Sequence, residues 1–124
     1  ATSIEPHSDR AARIRANADR LGVDRLQVVE GRAPQALVDL AAPDAVFVGG
    51  GLSAPLLAAL EAQLAPGTRL VANAVTLETE ALLTDAHARL GGTLLRIDLA
   101  EAAPLGAKRG WHPARPIVQW SVLL

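Results

Sequence analysis

Four short stretches hold residue types able to meet a ligand: Glu5, "EGRAP" at 30–34, "VFVGGGLSA" at 46–54 and "NAVTLET" at 73–79. Each ends or follows an apolar run. A carboxylate such as Glu5 can accept both hydroxyls of a ribose; the alternative is a solvated charge at a strand end. In "EGRAP", Gly31 lets the backbone approach a flat ligand, and the N–H groups of Arg32 and Ala33 can meet an adenine edge. Equally, a turn there can need Gly for its dihedral angles. Gly49, Gly50 and Gly51 do not match G-x-G-x-x-G, because Leu52, Ser53 and Ala54 follow. They also lack the Lys and Ser/Thr of a phosphate-binding loop, so neither a dinucleotide nor a nucleoside triphosphate is expected on them. What they leave is a wide surface without side chains. A bulky ligand can lie against it, its carboxylate at the start of the following helix, or the loop is kept open for packing. Asn73 interrupts an apolar run, and its amide must find partners in the protein or in a ligand. Thr76 and Glu78 follow, and Glu78 suits the first turn of a helix, where a carboxylate meets the dipole.

Other chemistries find no support. There is no cysteine, which excludes disulfides and thiolate metal sites. His7, His87 and His112 show no metal-ligand spacing. His87 reads as packing inside a helix, and no Ser-His-Asp order is credible. Lys108, Arg109 and Arg115 surround Trp111 and can meet an anion or a neighbouring subunit, or form a solvated hairpin. A net charge of −1 argues against a nucleic-acid partner held by bulk electrostatics. No apolar run approaches the ~20 residues of a membrane-spanning helix, and no leader segment is read, so a cytoplasmic location is expected. A homo-oligomer is also expected, with the segment around Trp111 as its interface, because an exposed Trp tends to be covered.

The elements that must position these residues follow from periodicity and punctuation. Half of the 124 residues are hydrophobic and 20% are charged, with Phe47, Trp111 and Trp120 the only aromatics. A Leu/Val/Ile/Ala core of this kind suits helices packed on a sheet. Strands are expected at 1–5, 25–31, 44–51, 68–75, 93–102 and 117–124, that at 44–51 being buried on both faces. Helices are expected at 7–22, 33–43, 53–67 and 76–92. Ser8 is read as the cap of the first, with Ala12, Ile14, Ala18 and Leu21 as its apolar stripe and Gly22 as its stop. Pro34 opens the second, Ser53 caps the third and Thr76 the fourth. Residues 104–116 read as a polar connection.

Strands alternating with helices predict one α/β domain with a parallel sheet and right-handed crossovers. The last two strands lack a helix between them, so they are expected to pair antiparallel at an edge. In such sheets ligands bind at the carboxyl ends of the strands, which is where Glu5, Gly31–Ala33, Gly49–Gly51 and Asn73–Glu78 fall.

The ordered set "IEPHSDRAARIRANADRLG", "VVEGRAP", "DAVFVGGG", "LVANAVTLETEALL" and "RGWHPARPIVQW" resembles the C-terminal, decarboxylating methyltransferase domain of the precorrin-6Y methyltransferases of cobalamin biosynthesis. The resemblance covers essentially the whole chain, and "VGGG" followed by "NAVTLE" is its most specific part. It implies a class I S-adenosylmethionine-dependent methyltransferase fold: a Rossmann-like parallel sheet whose last strand is antiparallel. It implies that Glu5 and Pro6 hold the cofactor ribose, and that Gly31, Arg32 and Ala33 line the adenine. Gly49 would border the methyl donor. Gly50, Gly51, Asn73, Thr76 and Glu78 would face a precorrin tetrapyrrole. The implied reaction is methyl transfer to ring carbon 15 with loss of carbon dioxide from an acetate side chain.

The resemblance also implies an incomplete domain. The family's first strand and its Gly-rich cofactor loop would precede Ala1, with that strand central between those at 1–5 and 44–48. Without it, backbone groups on both strands lose partners, at about 1–3 kcal/mol for each buried one. Residues 1–124, opening on "ATSIEP" without a Met, are therefore expected to be part of a methyltransferase domain, inactive alone.

Overall fold

Parallel pairing organises the opening residues of the computed structural model, which describes all 124 residues. The chain divides into two units, Ala1–Ala41 and Ala42–Leu124. In the first, β1 (Thr2–Glu5) pairs parallel with β2 (Gln27–Glu30), and α1 (Ser8–Leu21) connects them. The register runs from Thr2 opposite Gln27 to Glu5 opposite Glu30, so both carboxyl ends are flush.

The start of α1 differs from expectation. A cap must sit in extended backbone just before the helix, and His7 takes that place, while Ser8 is already helical. No side chain caps α1; instead the Glu5 carboxylate accepts the His7 N–H at 3.0 Å. Gly22 ends the helix in the left-handed conformation, φ +65°, as expected. The buried stripe is Ala11 and Ala18 with Ile14 half-buried, whereas Ala12 and Leu21 face outward. The expected helix over 33–43 is a single 3-10 turn, Gln35–Leu37. Val38 is extended and Asp39 is left-handed, φ +70°, which stops propagation.

The second unit is a four-stranded sheet in the order β3–β4–β8–β5, with β3 (Ala45–Val48), β4 (Arg69–Ala74), β5 (Thr93–Ile97) and β8 (Ile117–Leu123). β3 and β4 are parallel; β8 is antiparallel to both its neighbours. The expected antiparallel pairing of the last two strands is present, but β8 is interior and β5 takes the edge. Burial explains this. Val118, Trp120 and Val122 alternate into the core along β8, while Leu95 and Arg96 of β5 are exposed.

β3 is not buried on both faces. Its only partner is β4, and Phe47 is 65% exposed. Likewise β1 pairs only with β2. Each unit thus has a strand edge without a partner, and none of the eight strands supplies the central strand that the resemblance requires.

α2 (Ala54–Gln63) buries Leu56, Leu57 and Leu60, and α3 (Leu77–Leu90) buries Leu83 and Ala86. Leu70, Ala72 and Ala74 complete this core from β4. Arg89 ties the two helices together, reaching Glu61 of α2 and Asp85 of its own helix, each at 3.0 Å. These bonds hold the Arg89 pKa well above its usual range, the hydrogen bond it donates to Glu61 contributing most. α3 ends close against β8. Trp120 donates its indole N–H to the Gly91 carbonyl at 2.9 Å, and a Cβ on Gly92 would strike the Ser121 carbonyl oxygen.

Most of residues 104–116, expected as a polar connection, is strand. β6 (Ala100–Leu105) and β7 (Lys108–Pro113) form an antiparallel hairpin, and the strand expected over 93–102 ends at Ile97. The hairpin turns at Gly106, φ +59°, and nearly all of it is exposed. A ribbon with no buried face leaves no apolar alternation in its sequence, and Pro104 and Gly110 further disguise it.

Candidate functional site

In the first unit, flush parallel strands bring Glu5, Pro6, Gly31, Arg32 and Ala33 to one end of the β1–β2 pair. The Gly31 N–H donates to the Glu5 carbonyl at 3.2 Å, which continues the ladder into the turn. Glu5 is half-buried; its Oε1 accepts from His7, and its Oε2 has no protein partner. The neighbouring Glu30 is taken by Arg15 at 2.6 Å, so it is an ion-paired surface group. Gly31 is not left-handed, so dihedral need is not its reason. Space is the reason: a Cβ there would lie 2.9 Å from the Cβ of Ala36.

In the second unit the parallel ends are those of β3 and β4. Gly49, Gly50 and Gly51 are all exposed. Gly51 needs its glycine for a φ of +75°, while a Cβ on Gly50 would meet nothing within 4 Å. A Cβ on Gly49 would approach the Phe47 ring at 3.1 Å. Leu52 is buried and pins the end of this loop to the core. Ser53 then caps α2, accepting the Leu56 N–H at 3.3 Å. Pro55 has no N–H, so the first turn of α2 has only that of Ala54 to spare. The helix start is therefore a poorer carboxylate site than its sequence suggests.

The β3–β4 register ends at Val48 opposite Ala72, so Asn73 continues β4 beyond its last pairing with β3. On the other side, Asn73 is opposite Gln119 of β8, whose Nε2 donates to the Asn73 Oδ1 at 2.9 Å. Asn73 thus has a protein partner for its carbonyl, and its NH₂ is unpaired. Thr76 caps α3: its Oγ1 accepts the Thr79 N–H at 3.3 Å and also bonds the Thr79 hydroxyl. Glu78 is exposed in the first turn of α3, without a side-chain partner. Two depressions in this unit lie along the outer side of α3 and at the base of the hairpin.

Gln119 escaped the reading of the sequence. Its signal was the same as that of Asn73, an amide interrupting an apolar strand, but only the pairing of β8 with β4 gives it meaning.

Parallel strands with an inserted antiparallel strand, and ligand-type residues at the parallel carboxyl ends, define the Rossmann-like fold of the S-adenosylmethionine-dependent methyltransferases. An O-methyltransferase of that class from Thermotoga maritima shares the fold, with a TM-score of 0.65 at 13% identity over 99% of this chain and 49% of that one. The chain belongs to the precorrin methyltransferase domain family, whose model matches residues 1–124. It is 57% identical, over 98% of its length and 30% of the other's, to a decarboxylating precorrin-6Y C(5,15)-methyltransferase of a Sinorhizobium species. The crystal structure of the C-terminal domain of precorrin-6Y C5,15-methyltransferase from Rhodobacter capsulatus matches with a TM-score of 0.96 at 56% identity, covering 99% of this chain and 67% of that domain. The chain spans about 30% of the length of the curated relatives it matches.

Proposed function

We propose that residues 1–124 form part of an S-adenosylmethionine-dependent enzyme that methylates a precorrin tetrapyrrole at ring carbon 15, with decarboxylation of an acetate side chain. The observation that carries this reading is family membership across the whole chain, with the candidate residues at the carboxyl ends of its parallel strands.

The residues fit such a cofactor in part. The unpartnered Oε2 of Glu5 suits a ribose hydroxyl, while Oε1 keeps the turn at Pro6 in place through His7. Gly31, Arg32 and Ala33 offer backbone to a flat base, and Gly49 borders the methyl donor. When bound, the cofactor supplies an electrophilic methyl group. The chain's own residues contribute position and orientation, which can supply about 7–11 kcal/mol of a barrier. Gly50 and Gly51 leave room for a large flat substrate. The Asn73 NH₂ and Glu78 face it, and Thr76 sets the start of α3 beside it. The enzyme works in the cytoplasm, without nucleic acid, and copies associate through the β6–β7 hairpin, where Trp111 is 77% and Leu105 70% exposed.

The test is methyl transfer from labelled S-adenosylmethionine to the precorrin, with carbon dioxide measured in parallel, using the protein at the length of its relatives. Absence of both products sinks the reading. A second reading rests on the unpaired edges of β1 and β3, which could receive a strand from a partner and make this a binding module. Titration with S-adenosylhomocysteine separates the two. The enzyme reading expects tight binding at full length and little by residues 1–124; no binding by either favours the module.

A further inference from the structure

The pair Asn73–Gln119 is a side-chain hydrogen bond between neighbouring strands of the sheet, and it fixes more than a contact. An Asn amide has a carbonyl oxygen on one branch and an NH₂ on the other, about 120° apart, so engaging one aims the other. The Asn73 Oδ1 is turned toward β8 by the Gln119 Nε2 at 2.9 Å. Its Nδ2 is therefore turned away from β8. On that side of β4 stands β3, whose pairing with β4 stops at Val48 opposite Ala72, one residue short of Asn73. Two N–H donors thus stand at the carboxyl end of the parallel strands, turned from β8. Neither has a protein acceptor.

We infer that Gln119 is a positioning residue: it latches the Asn73 carboxamide so that its N–H donors turn away from β8, where they take a carboxylate oxygen of the substrate. This rests on the substrate-facing reading of Asn73. A neutral donor pair suits a carboxylate because hydrogen bonds to an ionised acceptor are about twice as strong as neutral ones. A ring acetate or another acidic side chain of a tetrapyrrole supplies such an oxygen. The latch also decides polarity. Were the amide reversed, Oδ1 would face that carboxylate and repel it.

Gln119→Glu tests this directly, because a carboxylate can only accept and so draws the Asn73 NH₂ toward β8. In the protein at the length of its relatives, Gln119→Glu is expected to raise KM for the tetrapyrrole about tenfold or more, the loss of a charge-assisted hydrogen bond. Gln119→Leu, which merely frees the amide, is expected to raise it less. Affinity for S-adenosylhomocysteine should be unchanged in both, a split that general misfolding would not produce. Asn73→Ala combined with Gln119→Leu should be no worse than Asn73→Ala alone, because the latch has nothing left to hold.

An unchanged KM in Gln119→Glu beside a raised KM in Asn73→Ala overturns the latch and spares Asn73. Additive losses in the double variant also overturn it. An unaffected Asn73→Ala removes both roles. If the protein transfers no methyl group at all, the function reading falls, yet the latch is still decided by NMR. Gln119→Glu should shift the side-chain amide signals of Asn73, and signals that stay in place overturn it.

Discussion

A methyl group added at Gly31 would come within 2.9 Å of the Ala36 Cβ, closer than two carbons can sit without the turn shifting. Gly31→Ala is therefore expected to cost about 1–3 kcal/mol, seen as a lower midpoint in denaturant. Gly50 is the contrast. Its Cβ would meet nothing within 4 Å and its backbone is not left-handed, so Gly50→Ala should stay within about 0.5 kcal/mol of the parent. If the surface serves a bulky substrate, the same substitution lowers turnover at full length; unchanged turnover would mean the room is unused. At this scale the sequence was half legible. Asn73 announced itself by breaking an apolar run. Gly31 did not reveal that its neighbour would be Ala36, because that contact depends on how a 3-10 turn folds back.

Helix starts are where element-scale reading worked best. Ser53 and Thr76 each precede an apolar run, and each accepts an N–H three residues on. Thr76→Ala is expected to lower stability by about 1 kcal/mol. Ser8→Ala should change little, since Ser8 caps nothing and Glu5 takes the His7 N–H. Equal losses in the two variants, by calorimetry, would contradict the assigned caps. Two elements were not legible. The 33–43 segment has helical composition but is cut by the extended Val38 and left-handed Asp39. The β6–β7 hairpin has no buried face, so the alternation that marks a strand never formed.

At the scale of the whole molecule, alternation of strands and helices was enough to predict the parallel pairs and the antiparallel last strand. It could not place β8 between β4 and β5, because that order depends on Trp120 needing neighbours on both sides. The hairpin leaves Trp111 and Leu105 to solvent, and its strands carry both Glu101 and the basic pair Lys108 and Arg109. Such a ribbon is self-complementary in charge and marginal alone. Trp111→Lys is expected to lower the sedimentation coefficient of a self-associated form while leaving the fold intact by circular dichroism. A mass unchanged by the substitution would show that the hairpin is not the interface.

Trp120 and Trp111 also divide the light this protein emits. There is no tyrosine, so these two indoles account for its near-ultraviolet absorption beyond the weak Phe47. One is fully buried with its N–H held by Gly91; the other stands on the hairpin, 77% exposed. Iodide should quench only the redder component, from Trp111, and association of hairpins should protect it. The bluer component should persist until the sheet unfolds. The chain thus carries one built-in optical reporter for its core and another for its surface.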